Sequence, residues 1–131
     1  MDAIEVVAWA TAAGLAVVAL FQVALAAGAP WGDFAWSGRQ PGRLPATLRV
    51  ASAVSAPVLL GMAAVVLLRA GVWGEGDSTW VTVVAWVVAA MLTLSALGNL
   101  ASRSPRERAV FGPLSLLIAI GAIVVAIAGP A

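Results

Sequence analysis

The chain has no cysteine, no histidine and no tyrosine, and all seven of its basic residues are arginine. Each absence removes a chemistry. Without cysteine there are no disulfides, thiolate nucleophiles or thiolate metal ligands. Without histidine there is no imidazole to ligate haem or zinc or to move protons near neutral pH. Without lysine there is no Schiff base. Charge is scarce too: 10% of residues are charged, against roughly a quarter in a soluble domain. Catalysis would have to be built from Asp, Glu, Arg, Ser or Thr alone, so the expectation is a protein that is not an enzyme, with no cofactor and no metal site. A net charge of +1 gives no reason to expect a nucleic-acid partner.

What fills the chain instead is apolar: 63% of its 131 residues are hydrophobic. They gather into four runs, each meeting the length of about 20 residues that crosses a hydrocarbon core of about 30 Å. The expected fold is all-α: an integral-membrane four-helix up-down bundle forming one transmembrane domain over 1–131, with helices at about 3–27, 45–70, 79–100 and 105–129. Ala24-Leu25-Ala26 has the form of a signal-peptidase site. The run before it begins with Asp2 and Glu5 rather than a basic segment, so it reads as a retained helix.

Local signals mark the helix ends. Asp2 precedes Glu5 at capping-box spacing, and Gly28 and Pro30 stop the first helix. Ser104-Pro105-Arg106-Glu107 is a second capping box, with proline at the first helical position. Pro57 lies inside the second helix and Pro113 inside the fourth, and kinks are expected at both. Ser52 and Ser55 are positioned to take up carbonyls that Pro57 frees. A short interfacial turn is expected before Pro113. Thr82, Ala85, Ala89, Thr93 and Ala96 form one small-residue seam, and Gly112, Ser115, Ala119, Ala122, Ala126 and Gly129 another. Both suit close helix contact.

Six arginines (Arg39, Arg43, Arg49, Arg103, Arg106 and Arg108) fall in or beside the first and third loops, and only Arg69 lies at the other end. The positive-inside rule then puts those loops in the cytoplasm and both termini outside, as expected for a multi-pass protein of a bacterial cytoplasmic membrane. No acid or arginine lies in the middle of a span, which argues against ion-coupled transport.

Polar residues gather beneath the arginine-bearing loops. A ligand pocket is expected there between the first, second and third helices, lined by Gln22, Ser52, Ser55 and Asn99, with Trp31 in the loop above and Arg49 at the mouth, where an arginine suits an anionic headgroup. The plainer alternative is that the same residues hydrogen-bond among the helices. Thr11 and Gln22, eleven residues apart, fall within about 20° of one helix face. Trp31, Phe34 and Trp36 read as interfacial anchors, or as part of a loop folded back over the bundle end.

The runs A-P-W-G-D-F-A-W-S-G-R-Q-P-G-R-L-P-A-T-L-R and L-G-N-L-A-S-R-S-P-R-E-R-A-V-F-G-P resemble an uncharacterised family of small bacterial four-helix integral membrane proteins. The matching residues are Pro30, Trp31, Gly32, Gly38, Pro45, Arg49, Asn99, Ser104, Glu107, Arg108 and Pro113. The resemblance implies the architecture and brings no activity, cofactor or substrate with it. The expected function is a small integral-membrane binding or accessory protein. Its partners would be membrane lipids, an apolar small molecule, or a homodimer or larger membrane complex. The competing class is a small dimeric transporter of hydrophobic compounds.

Overall fold

A computed structural model describes residues 1–130. It contains four long helices, α1 (Ala3–Ala27), α2 (Ala46–Arg69), α3 (Thr79–Leu100) and α4 (Pro105–Ala128). Two single-turn 3-10 segments, Gly32–Phe34 and Trp36–Gly38, lie in the loop between α1 and α2, and no strand occurs among the described residues. All four helices are long and apolar enough to cross a bilayer, so the chain is a small multi-span membrane protein built as a four-helix bundle.

The helix ends follow from the caps. The Asp2 carboxylate accepts from Glu5 N at 2.9 Å. Gly28 closes α1 at φ 104°, and Gly28 N and Ala29 N donate back to Leu25 O and Ala24 O at 3.1 and 2.9 Å. That pair of bonds is a Schellman motif, which needs the left-handed residue that glycine supplies. Pro45 precedes α2, and Pro105 opens α4.

Both α2 and α4 are continuous through Pro57 and Pro113. The interfacial turn expected before Pro113 is absorbed into α4. The serines near Pro57 do not serve the carbonyl it frees. Ser55 Oγ donates to Ala51 O at 2.8 Å, and Ser52 Oγ accepts from Trp36 Nε1 at 3.3 Å. A helical hydroxyl reaches three or four residues back, so neither serine can reach Ala53 O.

Packing divides the bundle into two hairpins. α1 pairs most closely with α2, and α3 with α4; α1 and α4 join the hairpins, while α2 and α3 touch least among neighbouring pairs. Small residues set the close approaches. A Cβ on Gly121 would overlap Thr11 Oγ1, and one on Gly14 would lie 2.9 Å from Ile118 Cγ1. Ala85, Ala89 and Ala96 of α3 are buried, as are Ala119, Ala122 and Ala126 of α4. Outward-facing Val17, Leu20, Leu94, Leu117 and Ile127 are exposed. In water this belt would cost far more than it does against lipid tails. Trp9, Trp73, Trp80 and Trp86 are exposed toward the end that carries the termini. Trp9 and Trp73 meet edge to face at 6.5 Å, the placement usual for interfacial aromatics.

That end is tied shut by Arg69, which is 8% exposed. Its Nε and Nη2 donate to Ala126 O at 3.3 and 2.9 Å, and its Nη1 donates to Gly76 O at 2.8 Å and Thr82 Oγ1 at 3.1 Å. One guanidinium thus holds the end of α2, the α2–α3 loop, the start of α3 and the end of α4. The Ala126 carbonyl is one of the orphan acceptors at a helix C-terminus, where a cation is favoured.

Candidate functional site

The opposite end is open. A cleft of about 890 Å³ enters the bundle between α2 and α3. Its flanks are Val54 and Val58 of α2 and Ser95 and Gly98 of α3, all exposed. Its back wall comes from α1 (Leu15, Val18, Phe21, Gln22) and α4 (Glu107, Phe111, Ser115, Ile118). From Ala27 back to Leu15, at 1.5 Å per residue, the cleft penetrates about 18 Å, more than half of a hydrocarbon core. The deep part is apolar: Leu15, Leu59, Met62, Leu92 and Ile118. The mouth is polar, with Ser37, Arg39, Asn99, Arg103 and Glu107 around it.

The α1–α2 loop roofs the mouth. Gly32 N donates to Gly42 O at 2.8 Å, and a Cβ on Gly32 would overlap Gln40 O and lie 2.7 Å from Gly42 O, so only glycine lets the loop close on itself. The loop is then pinned to the start of α4. Ser104 Oγ donates to Asp33 O, and Arg106 Nη1 pairs with Asp33 Oδ2 at 3.0 Å. Leu25, Ala35 and Leu44 form a small separate core against which Phe21, Trp36 and Leu48 pack. Trp36 and Ser37 have φ of 53° and 57°. Two successive non-glycine residues in the left-handed region are strained backbone, held here by the surrounding contacts at the edge of the cleft.

Of the six residues expected to line a pocket, Gln22, Ser55 and Asn99 share the wall of this cleft. The other three lie elsewhere. Ser52 is fully buried beneath Trp36. Trp31 is exposed and stacks on Phe21 at 6.0 Å, outside the cavity. Arg49 is not at the mouth: its Nε donates to Ala26 O at 3.0 Å, drawn to the orphan carbonyls that end α1. It borders a separate shallow groove of about 260 Å³ with Ala26, Ala46, Val50 and Ala53. Arg39 and Arg103 take the mouth instead, and both are exposed. α4 supplies a wall that was expected from α1, α2 and α3 alone.

Three polar groups have settled states. Thr11 Oγ1 donates to Val7 O of its own helix at 2.8 Å rather than across to a neighbour. Gln22 Oε1 is buried and meets no hydrogen-bond donor. Glu107, missed as a site residue because its spacing from Ser104 reads as a cap, lines the cleft and is 7% exposed.

No protein-family model, curated protein or solved structure matches the chain significantly. The functional reading therefore rests on the cleft itself.

Proposed function

We propose that the chain is a membrane-embedded binding protein that holds an amphiphile in the cleft, with the arginine-bearing end in the cytoplasm and both termini outside. The observation that carries this reading is the grading of the cleft from apolar depth to polar mouth. Its volume of about 890 Å³ falls in the range of roughly 300–1,000 Å³ typical of small-molecule sites. An amphiphile matches both parts at once: its chain covers Leu15, Leu59, Met62 and Ile118, and its head meets the polar rim. The gap between α2 and α3 offers entry from the bilayer, where such molecules reside. Orientation follows from six arginines at one end against one at the other, and that one is sequestered by Gly76 O and Ala126 O. The Arg69 closure favours binding over passage, because a through-path would have to break four hydrogen bonds.

Native mass spectrometry of the protein extracted in mild detergent tests the reading. The wild type is expected to retain an amphiphile that Val58→Trp, which adds bulk at an exposed flank of the cleft, loses. Equal retention by both proteins, or none by either, would defeat it. Gradient-driven movement of an amphiphile in sealed vesicles would instead favour the transporter class.

A further inference from the structure

The first turn of α4 leaves a carboxylate unused. Ser104 Oγ accepts from Glu107 N at 3.3 Å, yet the return half of the capping box is absent, because Ser104 N donates to Ser102 Oγ at 3.1 Å. The Glu107 carboxylate enters no ion pair and accepts no hydrogen bond among the described residues, although the residue is 93% buried, being 7% exposed. The arginines beside it in sequence are engaged elsewhere: Arg106 with Asp33, and Arg108 with Ser102 O at 2.7 Å. On the adjoining α1 wall, Gln22 Oε1 is a buried acceptor without a donor, while the Glu107 carboxylate borders the cleft. Buried acceptors are costly unless something donates to them. The wall is complementary to a group bearing N–H.

The rim carries the opposite charge. Arg39 and Arg103 are exposed at the mouth and pair with no carboxylate among the described residues. A purely cationic amphiphile would meet repulsion there, and a purely anionic one would leave Glu107 facing it. Nor do the aromatics assemble a cage for a quaternary ammonium. Phe34 faces the Arg106 guanidinium at 5.8 Å, and Phe21 lies between Trp31 and Phe111 at 6.0 and 4.6 Å.

We infer that the cleft selects amphiphiles whose head joins an N–H-bearing ammonium to a phosphate a few bonds away, the ammonium on Glu107 and Gln22 and the phosphate against Arg39 and Arg103. The inference rests on the reading of the cleft as an amphiphile site and names its ligand class. An aminoalkyl-phosphate head can come from a bilayer phospholipid or from a free single-chain amphiphile.

The test uses the full-length protein in detergent and three single-chain phospholipids of one chain length, with ethanolamine, choline and glycerol heads, titrated by native mass spectrometry. The ethanolamine head is expected to bind at least about tenfold more tightly than either of the others, since it alone brings charge-assisted N–H donors and the phosphate together. Glu107→Gln should bring the three to within about twofold of each other, with the largest loss for the ethanolamine head. Should Glu107→Gln fail to fold by circular dichroism, Gln22→Leu and the wild-type ranking carry the test. Equal affinities in the wild type, or preference for choline or glycerol heads, would overturn the headgroup assignment and leave chain binding intact. Affinity that Val58→Trp does not weaken would overturn the cleft reading itself. Enrichment of the two-chain ethanolamine lipid from mixed-lipid nanodiscs would identify the bilayer as the source. Selective binding of the single-chain form alone would identify a free amphiphile.

Discussion

Replacing Arg69 with methionine removes the clamp at the closed end while nearly preserving side-chain length. The guanidinium makes four hydrogen bonds, to Gly76 O (2.8 Å), Ala126 O (2.9 and 3.3 Å) and Thr82 Oγ1 (3.1 Å). Thr82 is least affected, because its hydroxyl keeps its bond to Ser78 O at 3.0 Å. The carbonyls of Gly76 and Ala126 lose their donor, and each buried acceptor left unpaired costs about 1–3 kcal/mol. Against this, methionine relieves the desolvation that a buried guanidinium carries. The lost donors outweigh that relief, because Arg69 and Gly76 are both covered by protein. The expected net loss is about 2–3 kcal/mol. Unfolding by sodium dodecyl sulfate in mixed micelles, followed by tryptophan fluorescence, reads it directly. Arg69→Lys should recover part, since an ammonium can serve one carbonyl but not both in the guanidinium plane. Arg39→Met, exposed at the other end, should stay within about 0.5 kcal/mol of wild type. A loss below about 0.5 kcal/mol for Arg69→Met would refute the clamp.

Three further outcomes are expected. Gly121→Val would drive a side chain into Thr11, whose Cβ lies 3.3 Å from the added Cβ; overpacking of this kind costs about 1–3 kcal/mol, and Thr11→Ala in the same chain should recover much of it in the same denaturation assay. Ser104→Ala removes the α4 cap and the tie to Asp33 O; a loss of about 1 kcal/mol is expected, with faster tryptic cleavage at Arg39 and Arg43 as the loop lifts. Because the chain has no native cysteine, Gln40→Cys labelled with a membrane-impermeant maleimide reads the orientation of the bundle. It should react in lysed cells but not from outside intact ones, and reaction from outside would reverse the topology.

The bundle is legible in the sequence because its signals are local. Asp2, Gly28 and the Ser104-Pro105 pair cap helices through bonds spanning only a few residues, and α1 and α3 end where expected, with α2 and α4 within a residue of it. The gathering of Gln22, Ser55 and Asn99 at one end is legible as well, since depth along a helix follows from residue number. Which face each residue presents is not. Arg49 is expected at the mouth by its place in the chain, but α1 ends beside it and draws it away, and Arg39 borders the cleft instead. Arg69 reads as one arginine at a helix end, because the carbonyls it binds belong to Gly76 and Ala126, the latter 57 positions away. Glu107 is hidden by its own motif. Ser-Pro-Arg-Glu predicts a carboxylate turned back to the backbone, and only the competing Ser102 hydroxyl, in a turn closed by Arg108, leaves it facing the cleft.

The clamp at Arg69 also sets how the molecule can move. Two stiff hairpins, joined by Arg69 at this end and by the Asp33 ties to Ser104 and Arg106 at the other, are least in contact where α2 faces α3, and that seam is where they would part. Val54 stands fifteen residues from the pivot, about 22 Å along α2. A rotation of about 5° at the Arg69 joint would therefore part the seam by about 2 Å without breaking a single turn of helix. If the cleft holds an amphiphile as proposed, widening of that size would let an acyl chain slide in sideways from the surrounding membrane, and the far end of the molecule would set the grip.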